Sequence, residues 1–111
     1  MTKSWLPYAE HILDAIAKIR RIQARGEITS DEVLYDAVLR NLQTLSEATQ
    51  QIPDSLKKMS PEIAWRDISG FRNILVHSYL GKIDPAAVER VVTQNLDPLE
   101  SAIRSMLDRD V

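Results

Sequence analysis

No cysteine occurs in these 111 residues. Disulfides and thiolate metal sites are thereby excluded, and the composition suits a reducing compartment such as the cytoplasm. Aromatic residues make up only 5%, so Leu, Ile, Val and Ala must fill the core. The opening M-T-K-S-W-L-P-Y-A-E-H has no long apolar run, and neither a signal peptide nor a membrane span is expected. Neither sign of charge dominates: the formal net charge is -2. A protein that holds nucleic acid by electrostatics alone would be basic, so any RNA contact here needs a local basic patch or a positive cleft. There is no Gly-rich phosphate loop and no nucleophile elbow. The two histidines, His11 and His77, stand far apart and give no metal-site spacing.

What is present reads as one all-α domain spanning 1–111, with 44% hydrophobic and 27% charged residues. A first helix is expected from Ser4 or Pro7 to Arg25, on Ile12, Leu13, Ile16, Ile19 and Ile22, ended by Gly26. Lys18, Arg20, Arg21 and Arg25 gather near its C-terminus. Such a run either complements the helix dipole on a solvated face or contacts phosphate. Thr29 and Glu32 have capping-box spacing before a second helix with Val33, Leu34, Ala37, Val38, Leu42, Leu45 and Ala48 on one stripe. Asn41 beside that stripe is a satisfied polar group or part of a site. Pro53 stops the helix, and Asp54-Ser55-Leu56 can form one helical turn. A third helix should begin between Pro61 and Trp65 and reach about Tyr79, with Gly70 inside it and Gly81 after it. The fourth, about Pro85 to Arg109, contains Pro98 and should kink or break near Asn95-Leu96-Asp97. Short connections make this an up-and-down four-helix bundle.

The third helix concentrates the chemistry. Ile68 to Tyr79 is apolar around most of its circumference, through Ile68, Phe71, Ile74, Leu75 and Val76. A surface of that kind is buried or covered by a partner. Arg72, Asn73, His77, Ser78 and Tyr79 are set into it, and polar groups in such a place need partners. Asn73 and His77 are four apart and share a face, which Ser69 and Arg66 extend. Arg72 precedes His77 by five residues, about 140° round the helix. A cleft between two helices, or between two copies of the chain, would gather Arg and His more readily. Without metal, Arg plus His suits phosphoryl transfer within RNA. The imidazole moves a proton at the 2′-hydroxyl or leaving oxygen, and the guanidinium holds the phosphate. As residue types alone, such a pair on a helix is more often structural.

Arg72-Asn73-Ile74-Leu75-Val76-His77-Ser78-Tyr79 fits the pattern Arg-x4-His-x-Tyr. With the preceding W-R-D-I-S-G-F and the following G-K-I-D, it resembles HEPN-domain ribonucleases of the HepT toxin type. The resemblance is close over Trp65 to Asp84, and the helical layout extends it to the whole chain. It implies a homodimeric, metal-independent RNA endonuclease with Arg72 and His77 catalytic at the dimer cleft and Asn73 supporting them. It also implies a minimal nucleotidyltransferase antitoxin that attaches AMP to Tyr79, placing phosphate charge and bulk beside His77. Ser78 receives no role. Trp65 and Phe71 are read as packing, His11 as a surface residue, and Met59 and Met106 as without function. A different class of reading stays open: a non-catalytic helical module that docks a nucleotidyltransferase or binds nucleotide.

Overall fold

The computed structural model describes residues 4–69 and 85–109. Five helical segments follow in order: α1 (Leu6–Gln23), α2 (Glu32–Thr49), α3 (Asp54–Lys57), α4 (residues 65–69 of those described) and α5 (Pro85–Arg109). No strand occurs among the described residues. The chain is an all-α bundle as expected. α3 is the short turn anticipated after Pro53, which itself sits extended at the N-cap of that turn.

α1 supplies the central packing stripe. Ala9, Ile12, Ile16 and Ile19 are fully buried, and α1 packs chiefly on α2 and then on α5. Val38, Leu42 and Leu45 meet it from α2, and Val88, Leu99, Ile103 and Met106 from α5. These positions recur at three and four residues, so each helix turns one stripe inward. Each buried Ile removes apolar surface equivalent to about 2 kcal/mol from water.

Several local expectations are corrected. Trp5, not Ser4, occupies the N-cap of α1 and makes no side-chain cap bond, while Pro7 stands in the first turn. α1 ends at Gln23, and tight turns continue through the bonds of Arg25 N to Ile22 O and Gly26 N to Gln23 O. Gly26 is not left-handed. A Cβ on it would lie 3.1 Å from Leu34 Cδ1, so close approach to α2 accounts for the missing side chain. The cap of α2 is Asp31, whose carboxylate accepts from Val33 N at 3.0 Å and Leu34 N at 3.2 Å. Thr29 and Glu32 do not form the expected box, because the turn that buries Ile28 carries the chain past Thr29 before the helix begins. Val33, expected on the inner stripe, is 76% exposed. It lies in the first turn of α2, before that helix reaches α1.

α4 starts at Trp65 and α5 spans Pro85 to Arg109, both as expected. α5 does not break at Pro98 but runs as one helix of 25 residues. Pro98 removes one amide donor. Leu96 before it and Leu99 after it are both buried in the core, so packing supports the helix on either side of it. Among the described residues, no helix is long and apolar enough to cross a membrane.

Candidate functional site

The expected site residues Arg72, Asn73, His77 and Tyr79 lie outside the described residues, as do Gly70, Ser78 and Gly81. What the structure describes is α4, which precedes them in the chain, and three of its residues fix it. The Trp65 indole N–H donates to Lys57 O at 3.2 Å and Ser60 O at 3.1 Å, carbonyls that also accept from Ser60 N and Ile63 N in the turns after α3. The Lys57 ammonium stands 5.8 Å from the centroid of the Trp65 ring, in cation–π range. Ile68 is buried in the core. One residue later, Ser69 Oγ lies 3.2 Å from Thr49 Oγ1.

That hydroxyl pair is backed by α2 itself. Thr49 Oγ1 also bonds Ser46 O at 2.7 Å, and Ser46 Oγ donates to Leu42 O at 2.7 Å. Both side chains are fully buried, where unpartnered hydroxyls would be costly. The sequence held a signal for this. Val38, Leu42, Leu45 and Thr49 form one continuous stripe, so a polar residue at position 49 must face the core and needs a partner there. The expected row through Arg66 and Ser69 divides: Ser69 turns to Thr49, while Arg66 is exposed.

Beside this root lies a cavity of about 50 Å³, bounded mainly by Leu42, Leu45, Ile68, Leu96 and Leu99, with Ser46, Asp67 and Asn95 as polar lining. It is large enough for a water molecule or two and too small for a nucleotide. Trp65, read as packing, therefore packs and also anchors through its N–H.

The other candidate, the basic run on α1, separates into two groups. Arg20 faces α5 and pairs with Asp97 and with Glu100 at 2.7 Å; Arg104 adds a second cation to Glu100 at 3.1 Å. The hydrogen bond from Arg20, reinforced by Arg104, holds the Glu100 carboxyl below its ordinary range against the opposing effect of burial. Arg20 is shifted upward, chiefly through its hydrogen bond to Glu100. It is thus committed to a helix–helix seam. Lys18 pairs with Asp14 at 3.3 Å in the open, and Arg21 and Arg25 are exposed. Asn41 donates one amide hydrogen within its own helix, to Ala37 O at 2.8 Å. Among the described residues, no group of three His, Asp or Glu side chains is placed to hold a metal ion.

The sequence model of the HepT-like ribonuclease family matches residues 12–106. A protein of Thermococcus cleftensis named as a probable ribonuclease HepT is 31% identical, over 96% of this chain and 98% of its own length. One from Caldanaerobacter subterraneus subsp. tengcongensis, named as a candidate RNase, is 26% identical over 94% of this chain and 95% of its own. A Methanocaldococcus jannaschii protein named as a gamma-glutamylcyclotransferase and candidate RNase is 25% identical over 97% of this chain, which spans 50% of its length. No solved structure matches. With its helical core and nearly its whole length inside the match, the chain belongs to the HepT-like ribonuclease family.

Proposed function

We propose that this chain is the toxin of a toxin–antitoxin pair, a metal-independent RNA endonuclease whose catalytic residues are Arg72 and His77. The observation that carries the reading is the Arg72-x4-His77-x-Tyr79 spacing within a chain of the HepT-like ribonuclease family. The anchored start of α4 supports it, since a catalytic helix works only if its root is held. In the reaction, His77 takes the proton of a ribose 2′-hydroxyl. The 2′-oxygen bonds to phosphorus, and the bond from phosphorus to the 5′-oxygen breaks. A protonated imidazole, available from a second copy across a two-fold axis, supplies the leaving oxygen with its proton. Arg72 grips the phosphate through paired N–H donors and steadies its growing charge, while Asn73 supports the pair.

The same reading gives the protein a cytoplasmic setting, a homodimer and a nucleotidyltransferase antitoxin. That partner joins AMP from ATP to the Tyr79 hydroxyl, releasing pyrophosphate. The added phosphate occupies the position of the substrate's own and repels RNA. The net charge of -2 favours an alternative, a non-catalytic module that docks the nucleotidyltransferase or binds nucleotide. RNA cleavage with and without EDTA separates the two. Wild type should cut in both conditions, and His77→Ala and Arg72→Ala should each lower the rate by roughly 10²-fold or more while remaining dimeric. Intact RNA after incubation with wild type, tRNA included, would leave the docking module standing instead.

A further inference from the structure

α1 and α2 enclose an open groove of about 350 Å³ on the outside of the bundle, lined by His11, Asp14, Ala15, Lys18, Arg40, Asn41 and Thr44. His11, Asp14 and Lys18 follow one another at three and four residues along α1, so they share one stripe. Arg40 and Thr44 stand one turn apart on α2 across from them. Lys18 and Arg40 are exposed, as is His11. We propose that this groove, through Lys18 and Arg40, binds the phosphodiester backbone of RNA as a contact separate from the Arg72–His77 motif.

Four observations favour that occupant. The groove brings two permanent cations and a titratable imidazole to one hollow of a chain whose net charge is -2. The carboxylate it contains, Asp14, holds Lys18 only at 3.3 Å with both side chains more than half exposed. Such a pair is weak and screened, so a phosphate can take its place. Asn41 has one amide hydrogen committed to Ala37 O and keeps another for a ligand. The neighbouring basic residues differ in their setting. Arg20 is consumed by Asp97 and Glu100, and Arg25 lines a separate hollow that also contains Glu27 and Glu89. Asp36, one turn before Arg40, tempers the site without lining it.

The inference rests on the ribonuclease reading for its choice of RNA over another polyanion, and the test keeps the two apart. Binding of labelled single-stranded RNAs of two unrelated sequences is measured on full-length His77→Ala across a salt series. The comparison is with the same chain carrying Lys18→Ala and Arg40→Ala, and with a control carrying Lys58→Ala. The double replacement should weaken both RNAs alike, roughly tenfold, and reduce the slope of log affinity against log salt by about 1.5. The control should change neither. In the otherwise wild-type chain, the double replacement should raise KM and spare kcat, as expected for a contact that takes no part in the bond-making step. Unchanged affinity and slope in a chain that still cuts RNA would overturn the groove alone. An equal loss in the Lys58→Ala control would overturn it too, by reducing the effect to net charge. Preferential binding of poly-glutamate would reassign the groove to an acidic protein. A wild-type chain that binds RNA through the groove yet never cuts it would sink the ribonuclease reading and leave the groove intact.

Discussion

Two seams of the bundle are closed by different means. Where α1 meets α5, Arg20 reaches Asp97 and Glu100 at the rim of an apolar contact. Where α2 meets α4, Thr49 and Ser69 join neutral hydroxyls beside buried Ile68. The charged seam is wet: Arg20 is 40% exposed and Asp97 79%. Water can replace either partner there, so the pairing tunes more than it holds. The neutral seam is dry on the α2 side, with Thr49 and Ser46 fully buried. A group removed from it is replaced by water less readily than at the charged seam. α4, which precedes the proposed catalytic residues in the chain, thus starts from the less forgiving of the two.

Ile68→Ala should show the contrast at its largest. It empties a buried position beside an existing cavity and should cost about 3 kcal/mol in thermal or denaturant unfolding. Thr49→Val comes next: nearly isosteric, it leaves Ser69 Oγ without that partner and should cost about 1 kcal/mol, unaffected by salt. Arg20→Ala should be the mildest, below about 1 kcal/mol in dilute buffer and smaller still in molar salt. Its pH dependence has a definite sign. Glu100 has a lowered folded-state pKa, so its stabilisation is present above the ordinary carboxylate range and is lost as pH falls through that lowered value. The gap between wild type and Arg20→Ala should therefore close on acidification. If Arg20→Ala costs more than Ile68→Ala, the ranking of the two seams is wrong.

The all-α bundle, the long helix α5 and the start of α4 were legible because periodic apolar stripes and X-Pro starts act locally. The α2 cap was misplaced because Thr29 and Asp31 both qualify by residue type, and burial of Ile28 decided between them. Pro98 signalled a break from its own chemistry, but Leu96 and Leu99 kept the helix whole through tertiary packing that no local rule contains. The basic run on α1 looked like a single patch. Only the position of α5 shows that Arg20 belongs elsewhere, 200° round the helix from Lys18 by the ordinary 100° step. For the site, the motif was legible as a pattern of residues. Its foundation in Trp65, Thr49 and Ser69 was not, since partners in different helices leave no spacing to read.

The chain contains two tryptophans. Trp5 is buried in the core, whereas Trp65 is half-exposed, with its N–H held by two carbonyls and a lysine ammonium near its ring. An indole in that position is an optical gauge fixed to the base of the proposed catalytic helix. In a Trp5→Phe background its emission colour follows those carbonyls and that charge, and it shifts when docking of RNA or a protein partner tugs on the root of α4.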